Sequence, residues 1–511
     1  MKHILIQFFF LAFSLLAKSQ ISFQDKIESN GYGVFTISSA QVRDNGYIIT
    51  GIASDTSPGV NFFLLKLDST GNQEWKKEFG GFNYLRPRSV LETSDNGFIV
   101  SGTMDSIGGR NTIFLLKTDS LGIVQWCNSY SDSCTDDQQD IIETLDSGFA
   151  VVGSSTCTGF PGENIIIFKV DKFGNNEWSR VYGGSSQNDF GQSLVQLSDS
   201  GFFIAGITKS ATIYFDILLM RLDNHGDTIW TQTLNDGGNE YVQEVIVNPD
   251  DEIFIVGSTM SPNAYEGSTL LLKVDVNGNV LTKKYTGLNV LEGTAIAFTN
   301  DSNLILGCTD AGAAGDFVSH ACLVKINNSG DSLWSAFYLD TLSACRCVSS
   351  CSDGGYLFSG DTYVTKTDSF GQIPCNDAKL DISIVDENLQ QIALQINQNI
   401  PAMTLNPIQF DTAMHVTVLP FCTPAEITRP EWQNGFSVFP NPTHSTLTVS
   451  IPGLSKYFFT VYDIYSQVLY SGTLNPSNQP FIINCNNFQP GIYFLNIQTE
   501  GNSFIQKFIK Q

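Results

Sequence analysis

Residues 95–132 read DNGFIVSGTMDSIGGRNTIFLLKTDSLGIVQWCNSYSD, and this pattern recurs up to about residue 376. Each copy has an Asp/Gly turn, an apolar strand that ends in Gly, a variable loop, a strand that ends in Lys or Arg, a second Asp/Gly turn and an outer strand that opens on Trp. We expect the glycines of the two turns, Gly97 and Gly122 in this copy, to adopt the positive φ that hairpin turns need. The pattern therefore predicts four antiparallel strands per copy.

Three markers count the copies. The Gly that ends the first apolar strand recurs at Gly51, Gly102, Gly153, Gly206, Gly257, Gly307 and Gly360. The second turn begins at Asp68, Asp119, Asp171, Asp223, Asp275, Asn327 and Asp368, each three residues before a Gly. The outer strand opens on Trp75, Trp126, Trp178, Trp230, Thr282, Trp334 and Cys375. A period near 50 residues with four short strands is typical of β-propellers. The sequence therefore predicts an all-β chain with a seven-bladed β-propeller over residues 20–376, in which each Trp caps the next blade.

Composition agrees with this class. The 511 residues include 44 Gly and 37 Phe, and only 15% are charged, which suits many short buried strands joined by tight turns. The length predicts two or three domains. The net charge of −24 argues against nucleic acid and anionic membranes as partners, because both require clustered Lys and Arg.

Residues 1–19 have the pattern of a secretory signal peptide. Lys2 gives a short basic start, an apolar run follows from Ile4 to Ala17, and small residues precede a cleavage point between Ser19 and Gln20. The apolar run is shorter than the roughly 20 residues needed to span a bilayer, so we expect cleavage and no transmembrane segment. The mature chain is then exported to a compartment that permits disulfides.

The seventh repeat is incomplete. After Gly360 the chain enters Thr362–Thr367 without a loop, and Cys375 beside Pro374 replaces the outer-strand Trp. Because Pro cannot donate to a strand ladder, another segment must supply the outer strand. The mature N-terminus, residues 21–28, has the spacing of an outer strand, and we predict that it closes the ring and removes exposed edges.

The periodic Asp residues have two interpretations. Asp-rich turns can bind calcium, and Asp-x-x-Gly-x-x-x-Trp resembles the docking motif of quinoprotein dehydrogenase propellers, which have eight blades. One Asp per turn supplies one ligand, however, whereas calcium takes six to eight oxygens. We therefore interpret the repeat as a blade-packing device and predict no metal and no cofactor.

Eleven cysteines leave at least one outside any intramolecular pair. Cys134 and Cys157 are expected on one face of the ring, where they could form a disulfide. Cys375 and Cys422 bracket the end of the propeller and are a second candidate pair. Cys345, Cys347 and Cys351 cluster in the seventh repeat without a nearby His, which favours buried thiols over a metal site.

Beyond the repeats, residues 377–434 alternate like strands around Leu380–Ile384 and His415–Val418, with five Pro between Pro401 and Pro430. We predict a β-rich connector. Residues 435–511 carry a set of short motifs, namely Phe439-Pro440-Asn441-Pro442, Leu447 with Val449, Val461-Tyr462-Asp463, Phe488-Gln489-Pro490-Gly491-Ile492-Tyr493 and Lys507-Phe508-Ile509-Lys510.

This combination resembles the C-terminal sorting domain (type A) of type IX secretion cargo in Bacteroidetes. The resemblance implies an immunoglobulin-like sandwich of about seven strands, with turns at Asn441-Pro442 and Pro490-Gly491. Its sorting motif would include Pro440, Asn441, Pro442, Asp463, Gly491, Tyr493 and Lys507. Ser466 departs from the family, which usually has Gly in that turn. The resemblance further implies passage through the periplasm, contact with the type IX machinery, and secretion or attachment to the outer cell surface, often with removal of the domain.

For the propeller itself, the sequence leaves three functions open: a non-catalytic adhesion module that binds a glycan or a protein, an enzyme such as a polysaccharide glycosidase or lyase, and a cell-envelope scaffold. Propeller enzymes place carboxylates in the central channel. The inner strands are mainly apolar or small, with Glu92, Glu143 and Glu244 as exceptions, and no two His are placed to act together. We therefore predict no catalytic residues.

The loops after the outer strands and between the second and third strands lie on one face of a propeller and vary most between copies. Exposed aromatic residues in loops on a rigid scaffold commonly bind sugars or proteins. The candidate binding face comprises Tyr84, Phe160, Tyr214 and Tyr265.

Overall fold

The fold is described from a computed structural model. It describes residues 20–510 apart from 30–32, 55–59, 81–83, 106–109, 132–133, 157–161, 184–187, 210–213, 236, 261–267, 287–290, 311–318, 339–343, 374–383, 387–389, 394–396, 400–403, 408–415, 423–436, 440–444, 451–456, 464–467, 475–480, 490 and 499–502. All regular elements in these residues are β-strands, which confirms the predicted all-β class. No helix in the described residues could span a bilayer. The chain divides into two compact units, Met1–Pro424 and Ala425–Gln511.

The first strand, β1 (Phe23–Ser29), precedes the first blade. Blade 1 comprises β2 (Val34–Gln41), β3 (Tyr47–Ser54), β4 (Val60–Leu67) and β5 (Gln73–Phe79). Blade 2 comprises β6 (Leu85–Glu92), β7 (Phe98–Asp105), β8 (Asn111–Thr118) and β9 (Val124–Ser131). Blade 3 comprises β10 (Asp136–Glu143), β11 (Phe149–Ser155), β12 (Asn164–Val170) and β13 (Asn176–Gly183).

Blade 4 comprises β14 (Asp189–Gln196), β15 (Phe202–Thr208), β16 (Asp216–Leu222) and β17 (Thr228–Asn235). Blade 5 comprises β18 (Glu240–Val247), β19 (Ile253–Thr259), β20 (Ser268–Val274) and β21 (Val280–Thr286). Blade 6 comprises β22 (Leu291–Phe298), β23 (Leu304–Asp310), β24 (His320–Ile326) and β25 (Ser332–Tyr338). Blade 7 contains β26 (Cys347–Ser350), β27 (Tyr356–Gly360) and β28 (Tyr363–Lys366). These seven antiparallel sheets of the described chain confirm the predicted blade count.

The N-terminal strand closes the ring, as the sequence predicted. β1 pairs antiparallel with β28, with Phe23 opposite Lys366 and Lys26 opposite Tyr363. The sheet of blade 7 therefore runs β26-β27-β28-β1, although β1 is more than 300 residues away in sequence. Closure across this distance leaves blade 7 without an open edge at β28.

In each blade an ion pair links the third strand to the first turn. The cations are Lys66, Lys117, Lys169, Arg221, Lys273, Lys325 and Lys366; their acidic partners are Asp44, Asp95, Asp146, Asp199, Glu252, Asp301 and Asp353. Lys117, 4% exposed, also donates to the carbonyl of Thr118 at 2.9 Å. This ion pair explains why the sequence repeats an acidic residue in the first turn and a Lys or Arg at the end of the third strand, because a buried cation needs several hydrogen-bond acceptors.

One expectation about the first turn is wrong. The positive φ falls on Asn96 (63°) and not on Gly97. A Cβ at Gly97 would overlap the carbonyl oxygen of Thr118 and crowd the Lys117 ammonium, so this glycine is required by space. In the second turn Gly122 does adopt a positive φ of 71°, as predicted.

The outer-strand Trp packs on the next blade, as predicted. A Cβ on Gly122 would lie 2.8 Å from the Trp75 ring. The same close contact between a Trp ring and a turn glycine recurs for Trp126 with Gly174, Trp178 with Gly226, Trp230 with Gly278 and Trp334 with Gly371. At ring closure Phe23 of β1 takes this place: it lies on Gly71, and its ring is 5.5 Å from that of Tyr47. Trp75 stands in the same relation to Phe98, at 5.8 Å. The closing contact therefore repeats the contact between consecutive blades.

Residues 384–422 add outer strands to the propeller. They contain β29 (Ile384–Asp386), β30 (Gln390–Ala393), β31 (Asn397–Asn399), β32 (Thr404–Pro407) and β33 (Val416–Cys422), which we call the strap. The strap strands pair antiparallel with the outer strands of blades 5, 4, 3, 2 and 7 in that order. β33 pairs with β1, so the closing strand is held between β28 and β33.

The second unit contains seven strands in its described residues. One sheet comprises β34 (Ser437–Phe439), β35 (Thr446–Ser450) and β38 (Phe481–Asn484). The other comprises β36 (Tyr457–Asp463), β37 (Val468–Leu474), β39 (Gly491–Gln498) and β40 (Ser503–Lys510). Leu447 and Val449 of the first sheet form a core with Phe459, Val461 and Leu495 of the second. This is a small two-sheet unit with its own core.

Deleting residues 20–28 should destabilise the whole propeller, because blade 7 loses β1 and blade 1 loses the Phe23 contact. We expect the melting temperature of the first unit to fall by more than 10 °C, measured by circular dichroism on the full chain. A deletion that melts with the parent would show that β1 is dispensable for closure.

Candidate functional site

A β-bulge recurs at one place on the inner strands. The register shifts at the same position in blades 1 to 6 and leaves one residue of each inner strand outside the ladder: Ile37, Arg88, Gln139, Gln192, Gln243 and Thr294. Arg346 holds the corresponding place just before β26. A bulge turns its extra residue out of the alternating pattern of the strand. These seven side chains all line one cavity on the ring axis.

The cavity has a volume of about 400 Å³, within the range of small-molecule pockets. All seven blades contribute to it, and its wall also includes Arg86, Asp140, Glu244, Glu292 and Thr309. The lining residues on the inner strands lie within the first five residues of each strand. That end of the strand carries the loops from the preceding blade, so the cavity lies toward the variable-loop face.

The wall formed by blades 2 and 7 is cationic. Arg86 and Arg88 come from blade 2, and Arg346 from blade 7. Burial lowers the pKa of Arg88; Asp137 opposes this effect, and the like charges of Arg86 and Arg346 add to it. Arg346 pairs with Asp361 at 3.0 Å. Within the described part of the chain, no carboxylate forms an ion pair with Arg86 or Arg88.

Blades 3, 5 and 6 contribute the carboxylates Asp140, Glu244 and Glu292 to the cavity wall, and the first two support the ring. Asp140 Oδ2 accepts hydrogen bonds from the Ser193 hydroxyl (2.7 Å) and from the Leu194 N–H (3.2 Å), and Asp140 Oδ1 accepts from the N–H of Ile141. Glu244 Oε2 accepts from the N–H of Ile296 at 2.8 Å. Both carboxylates bind a backbone N–H in the next blade.

Other blades use neutral groups at the same register position. Ser38 accepts from the N–H of Val90 and Ser193 from that of Val245. The Cys347 thiol accepts from Ser39 across the closure. Hydroxyl, thiol and carboxylate groups are interchangeable at this position. Their common role is to accept a hydrogen bond from a backbone N–H of the next blade.

The expectation that the inner strands present an apolar channel is wrong. Val90 and Val245 face the packing between blades, because the bulge shifts the alternation and turns the residues before them inward. Glu92 and Glu143 lie at the other end of the inner strands, where they accept from the N–H groups of Arg43 and Ser94 in the preceding blade. Of the three predicted exceptions, only Glu244 lines the cavity.

The predicted binding face is only partly described. Tyr84 and Tyr214 are 36% and 40% exposed, whereas Phe160 and Tyr265 lie outside the described residues. Beside Tyr214, an aromatic row runs from Phe190 through Phe215 to Tyr241, with ring separations of 6.2 and 5.7 Å. The structure therefore gives the loop face aromatic side chains at blades 4 and 5.

The Asp of the second turn has a structural role. Asp119 Oδ1 accepts from the N–H groups of Leu121 and Ile123, and the same pair of bonds recurs at Asp68, Asp171, Asp223, Asp275, Asn327 and Asp368. Asn327 accepts the same two hydrogen bonds with a neutral side chain, so the turn does not need the charge. Among the described residues, no group of three or more His, Cys, Asp or Glu is arranged to hold a metal ion.

The predicted disulfides stay predictions. Cys134 is half-buried, Cys157 and Cys375 lie outside the described residues, and Cys422 is described only as backbone on β33. Cys345 and Cys351 are fully buried beside β26, and burial raises the pKa of both thiols.

The signal-peptide and sorting residues are described in part. Ser19 lies outside the described residues, while the Gln20 side chain donates to the Asp353 carbonyl at 3.0 Å. In the second unit, Gly491 opens β39 and the Tyr493 hydroxyl donates to the Gln489 carbonyl at 2.6 Å. Asp463 and Lys507 lie on β36 and β40, and residues 440–442 lie outside the described residues.

The shifted pKa values of three turn Asp residues and of Glu244 make the stability depend on pH in opposite directions. Burial opposes ionisation of Asp95, Asp146 and Asp301, but bonds from Lys and turn groups outweigh it and lower their pKa to about 2. This stabilisation is lost as the pH falls from 3.8 toward 2. Burial, opposed by the Ile296 N–H and reinforced by Asp140, raises the pKa of Glu244 to about 8, so stability is lost as the pH rises from 4.5 through 8.

Glu244→Gln should therefore flatten the decline of melting temperature between pH 5 and 8, measured by differential scanning calorimetry. Glu28→Gln, at an exposed position on β1, is the matched control and should retain the decline. An unchanged slope in Glu244→Gln would contradict the assignment.

Comparison with known proteins identifies the second unit. Residues 437–511 match the family described as the secretion system C-terminal sorting domain. No curated protein matches the chain. Two similar solved structures are a protein of unknown function from Bacteroides caccae and a glucose dehydrogenase, both at 13% identity and a TM-score of 0.35. The first similarity covers 53% of this chain and 91% of the other, and the second covers 67% and 98%. With its terminal sorting domain behind a seven-bladed propeller, the chain is a cargo protein of the type IX secretion system, exported to the cell surface or beyond it.

Proposed function

We propose that the propeller is a non-catalytic binding module that is displayed or released outside the cell and takes its ligand at the mouth of the central channel. The observation that carries the proposal is the cavity of about 400 Å³ at the loop end of the ring. Rigid inner strands hold its polar walls, and variable loops surround its entrance. A glycan chain or an extended protein segment fits such an entrance better than it fits a flat surface.

The alternative, a propeller enzyme, has one observation in its favour. Glu244, with a pKa raised to about 8, could serve as a general acid near neutral pH. Against this, Glu244 binds the N–H of Ile296, and Asp140 accepts three hydrogen bonds. Blades 1, 4 and 7 perform the same inter-blade task with Ser or Cys. The presence of these carboxylates in the channel is therefore explained by their structural hydrogen bonds and does not require a catalytic role.

Blocking the channel should abolish binding. In Gln243→Trp, an exposed channel residue places an indole ring in the cavity and narrows it, and we expect at least a tenfold loss of binding by the full chain to an array of polysaccharides. Ile229→Trp adds the same ring on an outer strand, at a residue that is 57% exposed, and is the matched control. If the array binds Gln243→Trp as strongly as the parent, the ligand does not use the channel.

The export route proposed for this module begins with cleavage between Ser19 and Gln20 and passes through the periplasm. Removing residues 437–511 should leave the propeller folded in the periplasm of the natural host, because the first unit has its own core. Protease accessibility of intact cells and fractionation report the location. Normal surface exposure of the truncated chain would contradict the route.

A further inference from the structure

We propose that the cationic wall of the channel, formed by Arg86, Arg88 and Arg346, binds the carboxylate of an acidic sugar, so that the ligand is a uronic-acid-containing saccharide. This inference rests on the proposed binding function and gives its ligand a chemical class. It depends on three features of the cavity: guanidinium groups on blades 2 and 7, neutral amides on blades 3, 4 and 5, and acidic side chains on blades 3, 5 and 6.

The first feature is that Arg86 and Arg88 form no ion pair in the described residues, although the Asp137 charge acts on Arg88. Arg88 is a bulge residue at the channel wall and forms no ion pair within the described chain. The Nε of Arg86 is fully buried and has no hydrogen-bond partner in the described structure. Bringing unpaired like charges together out of water costs stability. Such a cost is expected at a binding site, where a ligand supplies the missing charge.

Arg346 extends the same wall from the other side of blade 1. It pairs with Asp361 at 3.0 Å, and the Asp361 carboxylate also accepts from the N–H of Ala344. Asp361 therefore fixes the position of the guanidinium, which retains further donors on a side chain that is 41% exposed. Two or three planar guanidinium groups around one space suit a planar carboxylate, which accepts paired N–H bonds.

The other walls favour a sugar with one negative charge. The bulge residues Gln139, Gln192 and Gln243 place three amides around the cavity, and an amide can both donate to and accept from a hydroxyl. Asp140, Glu244 and Glu292 line the same cavity from blades 3, 5 and 6. Burial raises the pKa of Asp140 and of Glu244 and favours their neutral forms, so one carboxylate is tolerated near them, whereas any ionised acid in this wall disfavours a phosphate dianion. The volume accommodates a saccharide end rather than a folded partner.

The test uses the full chain and isothermal titration calorimetry. Glucuronate and galacturonate should bind, whereas glucose and galactose should bind at least tenfold more weakly. Arg88→Met and Arg86→Met should each weaken uronate binding at least tenfold. Arg180→Met removes the same charge from an outer strand, where Arg180 pairs with Asp227, and should leave binding unchanged. Added salt should weaken uronate binding.

Several outcomes overturn the inference: no uronate binding to the parent chain, equal binding of neutral sugars, or undiminished uronate binding in Arg88→Met. Tighter binding of glucose 6-sulfate than of glucuronate would overturn the assignment to a carboxylate. Because Arg88 is an unpaired charge, Arg88→Met should melt at or above the parent temperature; a fall of more than about 5 °C would make Arg88 a structural residue. If uronates fail but Gln243→Trp still loses polysaccharide binding, the anionic ligand is wrong and the channel site stands.

Discussion

The propeller depends on closure of its ring by β1. Seven sheets packed in a circle have no stable end until the last meets the first, and here the N-terminal strand completes blade 7. Phe23 lies on Gly71 and beside Tyr47, as Trp75 lies on Gly122 and beside Phe98 of the following blade. The strap then pairs β33 with the outer edge of β1. The two ends of the first unit are therefore joined in one sheet, and closure is protected on both sides of β1.

Repetition also separates structural from functional residues. Hydrogen bonds between blades recur at the same register in several blades, and so do the turn Asp and the buried Lys or Arg. A carboxylate at such a position has a structural reason to be there. The bulge position differs, because its residue changes from Ile to Arg, Gln and Thr around the ring without a shared contact. A surface whose residues share no structural contact from repeat to repeat can vary with its ligand. This contrast is why we assign binding to the bulge residues.

The sequence predicts much of this fold and little of the site. The repeat period, the turn glycines and the Trp marker are local signals, and they were enough for the blade count, the Trp caps and closure by residues 21–28. The bulge has no local signal, since Arg88 and Gln139 are ordinary polar residues in strands of alternating pattern. Only pairing with the second strand shows that they leave the ladder. The pairing of the strap also has no local sequence signal, because its short strands form only against the outer strands of blades that are distant in sequence.

The central claim is that one aromatic contact at β1 closes the ring, and the free energy of unfolding of two Phe→Ala variants tests it most directly. Phe23 is 2% exposed in the closing contact, whereas Phe35 on the adjacent β2 is 45% exposed. From urea unfolding we expect Phe23→Ala to lose about 3–5 kcal/mol. Phe35→Ala should lose less than about 0.5 kcal/mol. Equal losses in the two variants would contradict closure through Phe23.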